Sequence, residues 1–174
     1  PSIVAWVPFN EAWGQFDTDE VLAEAAAMDP TRLIDGPSGW IDTGSGDIRD
    51  LHMYGREAEF ISPLPSRRPL VYGEFGGLGY PVEGHLAVKS GWGYSAFESQ
   101  AAFEKAYVEL LGLIESLRPL GLAGAIYTQT TDVESEINGL ITYDRRQFKI
   151  PPQRLAEVNG RLTKKILPPA PMKK

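Results

Sequence analysis

Apolar residues fill consecutive positions in Ile3-Val4-Ala5-Trp6-Val7. That pattern predicts a strand over residues 2–7, buried on both faces as in a parallel sheet. Polar Asn10 and Glu11 follow it, and the spacing then becomes helical. Asp17 is placed to cap a helix and Glu20 to reach back in a capping box, with Val21, Leu22 and three alanines running to about Met28 before Pro30. Residues 32–36, 50–54 and 69–74 read as three more short strands. A glycine-rich loop over 75–94 leads to a helix that Ser95 would cap, with Glu98 three residues on. Phe103, Tyr107, Leu110, Leu111, Ile114 and Leu117 form its apolar stripe. Gly121 stops it, 122–128 reads as a fifth strand, a polar loop and the run Leu140-Ile141-Thr142-Tyr143 follow, and 151–162 reads as a last helix with proline at its start. Strands alternate with helical or crossover segments and no hairpin turn joins neighbours, the pattern of βα units.

The polar residues recur just after the strands: Asn10-Glu11, Asp35, His52 and Tyr54, Glu74, Gln129 and Asp132. Parallel α/β folds carry their sites at the carboxyl ends of strands, so this clustering is a functional signal. Composition then narrows the class. The chain has 174 residues and a net charge of −6, a balance that argues against a general nucleic-acid binder. No apolar run approaches the roughly 18 residues that span a bilayer. Cysteine is absent, which excludes disulfides, thiolate chemistry and cysteine-based zinc sites. The chain opens at Pro1 directly in an apolar stretch, without Met or a signal pattern, which reads as a fragment; localisation is not readable from it. Residues 1–165 read as one folded unit and 166–174 as an extended tail.

Several chemistries drop out. Gly36-Pro37-Ser38-Gly39-Trp40 fails the nucleophile-elbow pattern at its last position, and Gly44-Ser45-Gly46 does not continue into a dinucleotide fingerprint. The two histidines, His52 and His85, stand far apart, so no metal site and no cofactor are expected. Carboxylate chemistry remains. Glu11 and Glu74 each end an apolar strand, where desolvating a charge is expensive. Two facing carboxylates suit glycosidic cleavage, one protonating the leaving oxygen and the other attacking the anomeric carbon. A lone glutamate after a strand is more often solvated or paired with arginine, so this pattern alone leaves both readings open.

The segment Pro1-Ser2-Ile3-Val4-Ala5-Trp6-Val7-Pro8-Phe9-Asn10-Glu11-Ala12-Trp13-Gly14 resembles the fourth strand of the catalytic barrel in glycoside hydrolase family 2. Val71-Tyr72-Gly73-Glu74-Phe75-Gly76-Gly77 is similar to that family's seventh strand. The run from Ala123 to Glu134, with Asn138-Gly139-Leu140, is similar to its eighth strand and loop. The resemblance implies a partial (β/α)8 TIM barrel, strands four to eight, and a retaining β-glycosidase in the complete parent enzyme. It implies Glu11 as general acid/base, Glu74 as nucleophile, Asn10 on the sugar hydroxyl beside the anomeric carbon, and Tyr54 orienting Glu74. Its implied partners are a β-glycoside substrate and the upstream barrel half and β-sandwich domains, with no nucleic acid and no membrane. A full barrel takes about 250 residues, so the isolated chain is expected to leave one open.

The other polar positions admit two readings each. His52 lines the sugar site or bonds a backbone carbonyl. Trp13, Trp40 and Trp92 stack on sugar or lie under loops. Tyr127 is a sugar contact at a position where the family usually carries tryptophan. Asp132, Glu134 and Glu136 are substrate-side acids or solvated loop charges, and Asp35 and Asp50 tie strand ends to backbone N–H groups. A non-catalytic carbohydrate-binding or structural domain on the same scaffold is the alternative function, and the retention of both glutamates speaks against it.

Overall fold

A computed structural model describes residues 2–54 and 67–163. The expected 166–174 tail and the end of the 1–165 unit lie outside the described residues. Pro8 has no N–H to donate and splits the first apolar run into two short strands, β1 (Ala5–Trp6) and β2 (Phe9–Asn10). After helix α1 (Thr18–Met28) the chain returns as β3 (Leu33–Ile34) and β4 (Pro37–Ser38). β1 pairs in parallel with β3, and β2 with β4, so that Asn10 lies opposite Ser38. An isolated parallel bridge from Asp35 to Ile48 leads to β5 (Arg49–Tyr54). Then β5, β6 (Leu70–Gly76) and β9 (Leu122–Thr128) form a three-stranded parallel sheet in that order. Between the last two lie β7 (Leu78–Gly79), β8 (Ser95–Ala96) and helix α2 (Gln100–Leu117), and helix α3 (Pro152–Leu162) closes the chain.

The architecture is mixed α/β, with parallel strands in small sheets and no closed barrel among the described residues. Its core lies between the β5-β6-β9 sheet and α2. Tyr72, Phe75 and Leu122 from the sheet meet Phe103, Tyr107, Leu111, Ile114 and Leu117, five of the six stripe positions read from spacing. α3 adds Val158 to that core and ties itself to α2 by Asn159 Nδ2 donating to Tyr107 Oη at 3.1 Å and by Arg154 to Glu104 at 3.2 Å.

Three expectations fail locally. Val4 and Val7 are 72% and 52% exposed, because β1 has only β3 beside it among the described strands. Its outer side borders an apolar groove lined by Trp6, Val7, Pro8, Ala25 and Met28. Asp17 sits at the start of α1 in the left-handed region (φ 37°) and makes no capping bond. Ser95 belongs to β8, whose pairing with β7 captures residues 95–96, so α2 starts later and Ser99 caps it by accepting from Ala102 N at 3.2 Å. Between β9 and α3, Ile141 makes isolated bridges to Thr131 and Phe148.

Candidate active site

Glu11 and Glu74 meet at the carboxyl end of the parallel strands. Glu11 follows β2 on a backbone turned into the left-handed region (φ 53°), as is Ala12 (φ 61°), a conformation that non-glycine residues seldom adopt away from functional turns. Its N–H donates to Ser38 O at 2.9 Å, which anchors the turn to the next strand. Glu74 reaches the same place by an irregularity in β6. Leu51 pairs with Tyr72 but His52 pairs with Glu74, so Gly73 is an extra residue, a bulge that re-aims the following side chain. One oxygen of Glu11, one of Glu74 and Nδ1 of His52 all lie within 4.8 Å of one another. The two glutamate side chains are 18% and 28% exposed and His52 only 2%, so the carboxylates face the opening and the ring lies beneath them.

The surroundings of the two carboxylates differ. His52 Nδ1 stands 2.9 Å from Glu11 Oε1 and 3.5 Å from Glu74 Oε2, so the hydrogen bond goes to Glu11. Tyr54 Oη donates to Glu74 Oε2. Burial, and then that bond to a carboxylate, push the Tyr54 phenol well above its ordinary range, so it remains a donor. Tyr94 stacks flat on the Tyr54 ring, centroids 3.6 Å apart at 6°, and Trp92 meets Tyr94 edge-on at 5.4 Å. The charges of Glu11, Glu74 and Glu136 all reach Tyr94, whose hydroxyl is pushed up chiefly by burial.

Below the opening a polar line continues into the interior. Ser38 Oγ lies 2.8 Å from His52 Nε2 and donates to Asp50 Oδ2 at 2.7 Å, while Gly73 N donates to Asp50 Oδ1 at 2.5 Å. Two glycines make this possible. A Cβ on Gly73 would collide with the Asp50 carboxylate, and one on Gly39 (φ 90°) would come within 2.9 Å of the His52 ring. Asp35 is buried beside Asp50 and is pushed up to about 8, first by desolvation and then by its hydrogen bond to Asp50 and the charge there, against the pull of Arg68.

The structure places the other sequence-derived residues unevenly. Asn10 and Trp13 flank Glu11; Asn10 is exposed, and Trp13 is 78% exposed. Trp40 is exposed as well. Tyr127 lies in the core, edge-on to Phe75 and Tyr107, with its hydroxyl buried. Asp132 is no solvated loop charge: it is buried against Lys149 Nζ at 2.7 Å. Glu136 accepts from Gln129 Nε2 at 2.9 Å and from Asn138 Nδ2 at 3.2 Å. The stacking of Tyr94, the bridging place of Ser38 and the Gln129–Glu136–Asn138 cluster do not follow from the sequence. These residues sit largely in loops or two-residue strands, where no periodicity marks a side chain.

Glu11, His52 and Glu74 also offer one nitrogen and two carboxylate oxygens, a donor set that suits a transition metal. Their short contacts are equally satisfied as hydrogen bonds, with His52 Nε2 engaged by Ser38 and Glu74 by Tyr54. Among the described residues no helix is long and apolar enough to cross a membrane.

No family model and no curated protein matches this chain. Solved structures do. A β-glucuronidase from an uncultured Clostridium species superposes with a TM-score of 0.59 at 14% identity, covering 94% of this chain and 33% of that one. An agarase superposes with a TM-score of 0.51 at 19% identity, covering 82% of this chain and 24% of that one. The chain therefore spans a third or less of the structures it resembles. Both are glycoside hydrolases, and the likeness establishes a glycoside-hydrolase-like fold.

Proposed function

We propose that this chain carries the acid/base and the nucleophile of a retaining β-glycosidase of the family 2 type, acting in the native protein to which it belongs. The observation that carries the reading is the convergence of Glu11 and Glu74 from two strand ends, with oxygens within 4.8 Å and unlike partners. Retaining enzymes hold their carboxyl groups about 5–5.5 Å apart, whereas inverting ones leave room for a water between them. Glu74 accepts a hydrogen bond from a phenol that stays protonated, which suits a carboxylate that must attack while ionised. Glu11 is bonded to an imidazole, a partner able to share its proton.

In the first step Glu11 gives its proton to the glycosidic oxygen as the bond from that oxygen to the anomeric carbon breaks. A Glu74 oxygen forms the new bond to that carbon. In the second step Glu11 removes a proton from water, the water oxygen bonds to the anomeric carbon, and Glu74 leaves as carboxylate. In this reading Asn10 takes the neighbouring sugar hydroxyl and Trp13 stacks on the sugar, and the exposure of both beside Glu11 supports it.

The native protein, incubated with a panel of 2-deoxy-2-fluoro-β-glycosides carrying a dinitrophenolate leaving group, tests this. The expected result is covalent labelling of the peptide containing Glu74, with the β-anomer as first product from the matching substrate. Labelling of another carboxylate, or an α-anomer first, overturns it. Saturable sugar binding without turnover across the panel favours the non-catalytic reading.

A further inference from the structure

His52 has both ring nitrogens engaged inside the protein, and the donors behind it determine which nitrogen carries hydrogen. Asp50 receives the Gly73 N–H at 2.5 Å and the Ser38 hydroxyl at 2.7 Å. A hydroxyl has a single hydrogen. With that hydrogen given to Asp50, Ser38 Oγ can only accept from His52 Nε2 at 2.8 Å. In a neutral ring, Nδ1 is then bare and faces Glu11 Oε1 at 2.9 Å, a contact that requires a proton between two lone-pair atoms.

We propose that His52 is a positioning residue whose tautomer is fixed from below by Asp50 through Ser38, so that its bare Nδ1 accepts the hydrogen bond of a protonated Glu11. The proposal rests on the reading of Glu11 as the acid. It gives the buried line a task that packing alone does not explain, because Gly73 and Gly39 are the two positions where any side chain would break it. Once Glu11 has delivered its proton, its carboxylate faces the Nδ1 lone pair. That arrangement favours taking a proton back from the incoming water, the second half of the reaction. The titratable groups facing the ring are Glu11 from the turn after β2 and Glu74 from β6. Tyr54 and Asp50 of its own strand stand one hydrogen bond further away, with Asp35 and Arg68 behind Asp50. Asp35, pushed up to about 8 first by desolvation, hydrogen-bonds to Asp50.

Long-range proton–nitrogen NMR of the 15N-labelled full chain reads the tautomer without any substrate. The chain has two histidines, so His85→Gln assigns the signals. The expected spectrum at neutral pH shows His52 protonated on Nε2 and unprotonated on Nδ1, with that preference lost in Ser38→Ala and in Asp50→Asn. A ring protonated on Nδ1 alone, a doubly protonated ring, or a Ser38→Ala spectrum like the parent overturns the proposal. A zinc titration that shifts Nδ1 at once, with Glu11 and Glu74 both required, would assign the trio to a metal instead. In the active enzyme, His52→Gln should lose about tenfold more kcat/KM on alkyl glycosides than on dinitrophenyl glycosides, since only the former need the proton. Equal losses on both refute the positioning role. Failure of Glu74 labelling would sink the glycosidase reading while leaving the tautomer result intact, so the two outcomes are separable.

Discussion

Replacing Asp35 by asparagine should flatten the dependence of stability on pH between about pH 5 and 7. Asp35 is 5% exposed, leaves one buried carboxyl oxygen without a partner, and lies beside Asp50. Desolvation first, then Asp50, push it up to about 8, whereas an aspartate in an unfolded chain titrates near 3.9. The folded value lies above the unfolded one, so across this window the folded chain keeps a proton that the unfolded chain has released. The contribution of Asp35 is therefore complete below about pH 4 and is lost as pH rises toward 8. One proton of difference is worth about 1.4 kcal/mol per pH unit, so the parent should lose on the order of 2–3 kcal/mol between pH 5 and 7 that the variant keeps. The substituted amide retains the shape and a donor toward Asp50 but has no proton to release. Asp42 and Asp144 are held low: at Asp42 desolvation is offset only by the bonds from Arg68 and Gly44 N together with the arginine charges, and Asp144 is held by Thr142 and His85. They change protonation only at more acid pH and are common to both proteins. Urea unfolding followed by tryptophan fluorescence at pH 5, 6 and 7 gives the comparison. Parallel stability curves for the two proteins would falsify the assignment of a buried proton to Asp35.

The remaining expectations are shorter. On the proposed glycosidase reading, Glu11→Ala should harm substrates with poor leaving groups far more than dinitrophenyl glycosides, and azide should restore turnover as a β-glycosyl azide; equal losses with no azide product argue against Glu11 as the acid. Lys149→Met should cost about 3–5 kcal/mol in chemical denaturation, because it strands the buried Asp132 carboxyl that Lys149 Nζ and Gly139 N now hold, and a loss under about 1 kcal/mol would contradict that account. The exposed apolar edge at Ile3, Val4, Trp6 and Val7 should make the isolated chain self-associate. Sedimentation across concentrations should show this, with Val4→Lys reducing it; a monodisperse monomer at high concentration would remove the edge as a cause.

The parallel order of the strands was legible because burial and chain reversal leave a simple trace. Residues 122–128 and the apolar stripe from Phe103 to Leu117 pack as their spacing indicates, since both lie against the same core. Short elements left no such trace. β7 and β8 are two residues each, so their pairing is decided by tertiary contact, and that pairing moves the cap of α2 from Ser95 to Ser99. Likewise β1 reads as a doubly buried strand, yet burial requires a neighbour on each side and β1 has one among the described strands. Hydrophobicity marks what a chain can bury and does not say what is present to bury it.

The site divides along the same line. Glu11, Glu74, Tyr54 and His52 end recognisable strands, so their convergence could be expected once the strands were taken as parallel. What no spacing reveals is the bulge at Gly73. Because Leu51 pairs with Tyr72 and His52 with Glu74, the extra residue turns its N–H onto Asp50 and makes room for the carboxylate. That single irregularity therefore both aims Glu74 at Glu11 and anchors the line through Ser38 to His52. Asp50 reads from sequence as a strand-end residue and Ser38 only as part of a failed nucleophile elbow, yet the fold brings both directly behind the imidazole. A Gly73→Ala change would push the Asp50 carboxylate off the N–H, and the loss of His52 tautomer preference expected of Asp50→Asn should follow. On the proposed reading, the chemistry at the mouth depends on a residue with no side chain, through the hydrogen bond that its backbone gives to Asp50.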